Sequence, residues 1–193
     1  MPSPDFPVSV LQNSVKMTLE PPQGIWSNML WTFQAFDDKE LNENKKPDVY
    51  KKLLFSFSFF HAIVQDRRKF GPIGWNIWYE FTNEDLKVCW IQLKIFLEEY
   101  DQVPYKVLNY LGADINYGGW VTDDKDKRLI SSILWTYINA DVINTPNYKF
   151  SKSGTYFSPP SGDQEDYIEF IKNFPLNPDP EVFGLHGNAQ ITT

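Results

Sequence analysis

Side chains able to do chemistry are few in this sequence, and their spacing argues against most catalytic schemes. His61 and His186 are the only histidines and Cys89 the only cysteine. A zinc site needs three or four closely spaced ligands, so no metal site is expected. His61 stands between Phe60 and Ala62 in the most apolar run of the chain, with no Ser or Cys nucleophile motif to serve, and reads as a core histidine. Cys89 falls at an inward helical position and reads as a small buried hydrophobe. Glu98 and Glu99 are adjacent on a helix, point apart, and read as a solvated face. Asp123 and Asp124 stand where negative charge serves the N-terminus of the next helix. GPIGWN at 71–76 has two glycines but neither the spacing nor the Lys of a phosphate-cradling loop. Arg67, Arg68 and Lys69 form a cation cluster at the end of a long apolar helix, where its dipole and surface pairing account for them; pairing with a phosphate or an acidic partner is the alternative. Seven tryptophans invite a sugar-binding reading, with Trp78 and Trp120 in loops, but no fixed spacing supports a platform. No catalytic, cofactor-binding or metal-ligating residue is expected.

The composition narrows the classes further. The 193 residues carry 18 Lys and Arg against 25 Asp and Glu, a formal charge of −7 that offers no general basis for wrapping a phosphate backbone. The longest apolar run, at 53–64, is shorter than the roughly 20 residues a bilayer span needs. Neither nucleic acid nor membrane is expected as a partner. One cysteine and an N-terminus without a basic, then apolar, stretch fit a reducing compartment. Aromatic residues make up 17 % of the chain (15 Phe, 10 Tyr, 7 Trp). Helical spacing assigns Phe57, Phe60, Trp90, Phe96 and Trp135 to a core. Trp26, Trp78, Trp120, Tyr156 and Phe157 fall outside it and read as contacts to a larger assembly.

The elements that must position these residues are mostly helical. A short helix after Pro7 and a strand at 15–20 are followed by an amphipathic helix over 23–36 and a solvated connection at 37–47. Asp48 is placed to cap a long helix that runs to Gly71-Pro72 and, being apolar around much of its circumference, should be central. An ordered loop at 71–81 leads to a Thr82/Asp85 capping box and a helix with Leu86, Cys89, Trp90, Leu93, Phe96 and Leu97 inward. Pro104 starts a shorter helix that Gly112 should end. A turn at 116–124 precedes a helix at 126–138 with Leu129, Ile133, Leu134 and Tyr137 inward. The Pro/Gly/Ser-rich stretch 144–163 reads as an extended linker, followed by a short helix at 164–174 and an acidic tail.

Five strings give the chain its most specific signal: PDFPVSVLQNSVKMTLEPPQG (4–24), FHAIVQDRRKFGPIGWNIWYEF (60–81), NYGGWVTDDKDKR (116–128), YKFSKSGTYFSPP (148–160) and YIEFIKNFPLNPDPEVFGLHGNAQIT (167–192). Together, and in this order, they resemble the C-terminal motor region of dynein heavy chains, most closely those of axonemal type. The resemblance implies the end of the sixth AAA+ module at 1–21, its helical lid subdomain at 22–145, and a linker with the start of the C-terminal domain at 146–193. The implied fold is mainly α: a helical AAA+ small (lid) subdomain of about five helices, with a short helix-strand piece before it and an extended segment with one short helix after it. The implied function is that of a non-catalytic structural module in a microtubule motor that drives cilium movement. ATP would be bound and hydrolysed by parts of the parent motor outside this sequence, with no cofactor in this chain. Partners would be other parts of the heavy-chain ring and its C-terminal domain and, through the parent motor, intermediate chains, light intermediate chains and microtubules. The location would be cytoplasm, cytoskeleton and ciliary axoneme. Arg67, Arg68, Lys69, Trp78, Trp120, Asp123 and Asp124 are the expected inter-module contacts. The sequence departs from the family pattern at Trp26, Trp78, Gly112-Ala113, Trp120 and Lys125; Trp120 stands for an expected Arg, removing a planar multidentate donor. These departures leave open a second reading, a stand-alone truncated relative that binds other dynein or cytoskeletal subunits.

Overall fold

A computed structural model describes residues 23–192, together with Asn13 and Val15, with side chains described as far as Ala189. The helix and strand expected before residue 21 lie outside the described residues. The elements are α1 (Ile25–Gln34), α2 (Asp38–Asn42), α3 (Pro47–Asp66), a 3-10 turn (Arg67–Ile73), α4 (Asn83–Glu99), α5 (Tyr105–Asn109), a π-helical turn (Tyr110–Asn116), α6 (Asp124–Tyr137), α7 (Ala140–Asn144), α8 (Gln164–Lys172) and two 3-10 turns (Pro180–Phe183 and Gly187–Thr192). The described residues are mainly helical and contain no strand; a single bridge pairs Lys149 with Phe157.

α3 is the axis. From Leu53 to Gln65 every one of its residues is buried, and α1, α2, α4, α6 and α7 pack around it. A helix apolar on all sides can be stable only when neighbours cover all sides. Its two buried serines are satisfied within the helix: Ser56 Oγ donates to the Lys52 carbonyl (3.1 Å) and Ser58 Oγ to that of Leu54 (2.8 Å). The start lies two residues earlier than expected. Pro47 takes the first helical position, where its fixed φ fits and its missing N–H is not needed, so Lys46 rather than Asp48 is the N-cap residue. Asp48 lies in the first turn, still at the favourable end of the dipole. Nor is the connection at 37–47 only solvated: α2 forms there because Leu41 anchors it in the core.

α4 follows the expected capping box, the Asp85 carboxylate accepting from the Thr82 N–H (2.8 Å) and hydroxyl (3.0 Å). Leu86, Cys89, Leu93 and Leu97 form its buried stripe. Gly112 does not end the next helix. The chain continues through it as a π turn, and glycine is needed there for packing against α6: a Cβ on Gly112 would stand 2.7 Å from Leu134 Cδ2 and 3.4 Å from Phe57. Gly112→Val is therefore expected to lower stability by about 2 kcal/mol. The urea midpoint reads this, and combination with Leu134→Ala should be less damaging than the two changes summed.

The stretch 144–163 is not an extended linker. It starts at the last residue of α7, and then Asn147 (φ 53) and Gly154 (φ 78) let the chain double back, with the Phe150 N–H on the Tyr156 carbonyl and the Ser158 N–H on that of Tyr148, both at 2.8 Å. The turn drives Phe150 and Tyr156 into the core against Phe59, with ring centroids 5.1 and 5.3 Å away. Tyr156 is thus 2 % exposed, not an outward contact. α8 completes the same core, Tyr167 stacking on Phe33 at 5.3 Å and 8°. Trp135 moves the other way. Ile130, Leu134 and Tyr137 form the buried stripe of α6, and Trp135, a helical step of about 100° from Leu134, is 45 % exposed beside Val107 and Ala140.

Candidate interaction site at the end of the central helix

The C-terminal end of α3 is where distant strings of the sequence meet. The chain leaves α3 through the 3-10 turn, reverses at Gly71 (φ 54), and passes so close to the helix end that a Cβ on Gly74 would lie 1.9 Å from the Arg67 carbonyl oxygen. The loop is then stitched back: Trp75 Nε1 donates to the Val64 carbonyl (3.1 Å) and Gln65 Nε2 to that of Phe81 (2.9 Å). RRKFGPIGWN is therefore a helix-end lock, with Gly74 required by backbone contact and Trp75 as its bolt.

Arg67, expected to reach a neighbouring module, turns inward and is 3 % exposed. Its Nε and Nη2 donate to the Gly74 carbonyl (3.1 and 2.9 Å), its Nη1 donates to that of Phe183, and the guanidinium carbon lies 5.2 Å from the Trp75 ring centroid. Burial lowers its pKa to about 10, with the charge of Asp126 acting in the opposite direction. The PEVFGLH string is brought to the same place, Phe183 lying 5.1 Å from Phe70 and under the Lys69 ammonium at 4.7 Å. Lys69 also pairs with Asp66 at 2.9 Å.

Asp126 ties the NYGGWVTDD region to this junction. It is buried on the inward stripe of α6 and accepts from the Asn76 N–H (3.2 and 3.0 Å), the Ile77 N–H (3.3 Å) and the Tyr79 hydroxyl (3.0 Å). Sequence reasoning missed it. The available signal was a carboxylate four residues before Ile130 on a stripe that continues to Leu134. Replacement by Asn removes an acceptor from two backbone donors, so Asp126→Asn should cost about 2 kcal/mol. Urea unfolding measures the loss, and hydrogen exchange should accelerate at the Asn76 and Ile77 amides.

The remaining expected site residues divide between capping and exposure. Asp123 is the N-cap of α6, accepting from the Lys125 and Asp126 amides (2.8 and 3.0 Å) and from Asn76 Nδ2 (3.1 Å). The Asp126 amide and the Asn76 side chain hold its carboxyl below the usual range. Asp124 is exposed in the first turn. Trp78 is 71 % exposed under the Arg68 guanidinium, 5.6 Å from its ring centroid, and Trp120 is 61 % exposed with its Nε1 on Asp85 at 3.1 Å. A further apolar face was not anticipated. Val88, Ile91 and Ile95 are exposed along α4, and Trp31, which lines a shallow pocket with Ile91, is exposed as well.

His61 and Cys89 hold no chemistry that the geometry reveals. His61 Nδ1 lies 2.7 Å from the Tyr117 hydroxyl and Nε2 3.1 Å from Asn83 Oδ1, and burial lowers its pKa to about 4. Burial pushes the Cys89 thiol up to about 12, and its sulfur accepts from Asn116 Nδ2 at 3.2 Å. Among the described residues no group of three or more His, Cys, Asp or Glu side chains could hold a metal ion. No helix among them is long and apolar enough to cross a membrane.

A helical body around one buried axis, with a locked helix end and an exposed apolar helix face, is the class of a helical lid subdomain. A model of the dynein heavy chain AAA lid domain matches residues 50–189, and the chain belongs to that family. It is 51 % identical over 193 residues to dynein axonemal heavy chain 1 of Homo sapiens, covering 100 % of this chain and 4 % of that protein. Over 195 residues it is 48 % identical to dynein axonemal heavy chain 12 of Mus musculus, covering 99 % of this chain and 6 % of the relative. Dynein axonemal heavy chain 3 of Mus musculus is 46 % identical over 194 residues, with 99 % and 5 % covered. The chain thus spans about one twentieth of the length of these relatives.

Proposed function

We propose that this chain is the lid region of the sixth AAA+ module of an axonemal dynein heavy chain, a non-catalytic structural module that packs against its ring neighbours and relays their movement. One observation carries the reading. Three segments, at 64–81, 123–126 and 180–184, lock onto one helix end through Arg67, Trp75 and Asp126, which suits a body that transmits displacement by moving rigidly. The division at 145/146 is then one of role in the ring, because α8 and the 150–158 turn share the core of the preceding helices.

Arg68, Lys69, Trp78, Trp120 and Asp124 serve as contacts to other parts of the heavy-chain ring and its C-terminal domain, whereas Arg67 and Asp123 act inside the module. The chain itself takes no cofactor; ATP belongs to modules outside this sequence. Intermediate chains, light intermediate chains and microtubules are met only through the parent motor, in the ciliary axoneme. Titration with a labelled ATP analogue tests the non-catalytic part: no saturable binding is expected, and saturable binding by the chain alone would overturn it. The exposure of Trp78 and Trp120 favours the second reading, a stand-alone adaptor. A stable stoichiometric complex of the chain alone with a dynein or cytoskeletal subunit would establish it.

A further inference from the structure

Arg67 borders a cleft of about 390 Å³ between α3, α6, the 150–152 turn and the 181–184 turn. Three features of the cleft point to a ligand. The first is a buried charge with no direct ion pair. Among the described residues no carboxylate lies within ion-pair distance of Arg67. The nearby Asp126 is fully engaged by Asn76, Ile77 and Tyr79. A buried cation with no direct ion-pair partner is costly even with the charge of Asp126 nearby, and a guanidinium has five N–H donors, of which three hydrogen bonds use three. The second is the wall, which is apolar: Ile63, Leu129, Ile133, Phe150 and Val182. Four hydroxyls also line it: those of Ser132 and Thr136 donate to carbonyls of their own helix (2.8 and 3.1 Å), Ser151 Oγ lies 3.1 Å from Ser153 Oγ, and Tyr137 is the fourth. The third is the rim, where Lys152 and Glu181 cancel and leave one net positive charge in the cleft.

We propose that this cleft binds a carboxylate carried on an apolar stem, the stem lying against Ile133 and Phe150 and the carboxylate completing the donors of Arg67. A planar carboxylate matches the guanidinium fork and balances a single charge. A phosphate would bring more charge than one guanidinium can neutralise and would lose its hydration against apolar walls. The volume lies in the range of small-molecule sites. The same chemistry has two sources, a free alkanoate or an acidic side chain flanked by apolar residues on another polypeptide.

The test is a titration of the 193-residue chain, followed by NMR at the Arg67 Nε–H and the Leu129 and Ile133 methyl groups. Octanoate, octanol, inorganic phosphate and a capped Leu-Glu-Leu peptide are compared. Saturable shifts with octanoate alone assign a free alkanoate, and shifts with the peptide assign an acidic side chain; octanol and phosphate should shift nothing. Arg67→Met should weaken carboxylate binding at least about tenfold. Because that change also removes bonds to the Gly74 and Phe183 carbonyls, Ile133→Trp provides the second variant, filling the cleft without touching Arg67, and should weaken binding as much. The proposal is overturned if neither carboxylate binds, if octanol or phosphate binds as well as octanoate, or if Ile133→Trp leaves binding unchanged.

Discussion

Replacement of Phe59 by alanine is expected to lower the stability of the chain by about 4 kcal/mol, the largest single loss from any core position. Phe59 is fully buried at the middle of α3, and its ring lies 5.4 Å from Tyr137, 5.1 Å from Phe150, 5.3 Å from Tyr156 and 6.4 Å from Phe174. Those four partners come from α6, the 150–158 turn and the residues after α8. Truncation therefore opens a cavity where three parts of the chain meet, and α3 cannot collapse into it without moving them. Urea denaturation measures the effect. Phe157→Ala is the matched control: that ring is only half-buried and among the described residues meets one ring, Phe170 at 5.0 Å, so its loss should be well under half as large. Equal losses would mean that the C-terminal segment does not share the core.

The second large effect is a pH dependence set by His61. Fully buried and neutral, the ring lies between the Tyr117 hydroxyl and Asn83 Oδ1, an arrangement complete when Nδ1 accepts from Tyr117 and Nε2 donates to Asn83. Desolvation lowers its pKa from 6.5 to about 4, against the smaller favourable influences of Asn83 and Asp85. The unfolded chain therefore takes up a proton below about pH 6.5 that the folded chain refuses until about pH 4. The stabilisation is complete above the upper value and is lost progressively as pH falls to the lower one, by about 3 kcal/mol in all. Urea midpoints at intervals from pH 7.5 to 4 should show the decline (~3 kcal/mol). His61→Gln should remove that component of the slope, and an unchanged slope in the variant would assign it to other groups.

The helices were legible wherever an apolar stripe decided the matter. Leu86, Cys89, Leu93 and Leu97 announce α4, the Thr82/Asp85 box announces its start, and the unbroken apolar circumference of α3 announces its burial. Positions where three-dimensional contact outweighs local preference were not legible. Gly112 has the look of a helix terminator, yet its reason is the approach of Leu134 from α6, a later helix of the chain. Turn formers at 144–163 signal a change of direction without saying which rings it buries, so Tyr156 was placed outside a core it completes.

The candidate site was half legible. The strings around Arg67, Asp123 and Phe183 stood out one by one, but their meeting at one helix end did not. Arg67, Arg68 and Lys69 were grouped as one cluster although Arg67 follows Ile63 by four residues on a buried face and therefore points inward. Asp126 is hidden by the more obvious Asp123-Asp124 pair, whose first member caps the helix and accepts from the Asn76 side chain.

Transmission by a rigid lid requires that the helices before residue 145 and the segment after it open together. Native-state hydrogen exchange of the 193-residue chain in low urea tests this most directly. Amides in α3, in the Phe150–Ser158 turn and in α8 should exchange with the same opening free energy and the same urea dependence. Free exchange in the turn and α8 while α3 stays protected would mean two bodies joined by a linker, and would contradict the account.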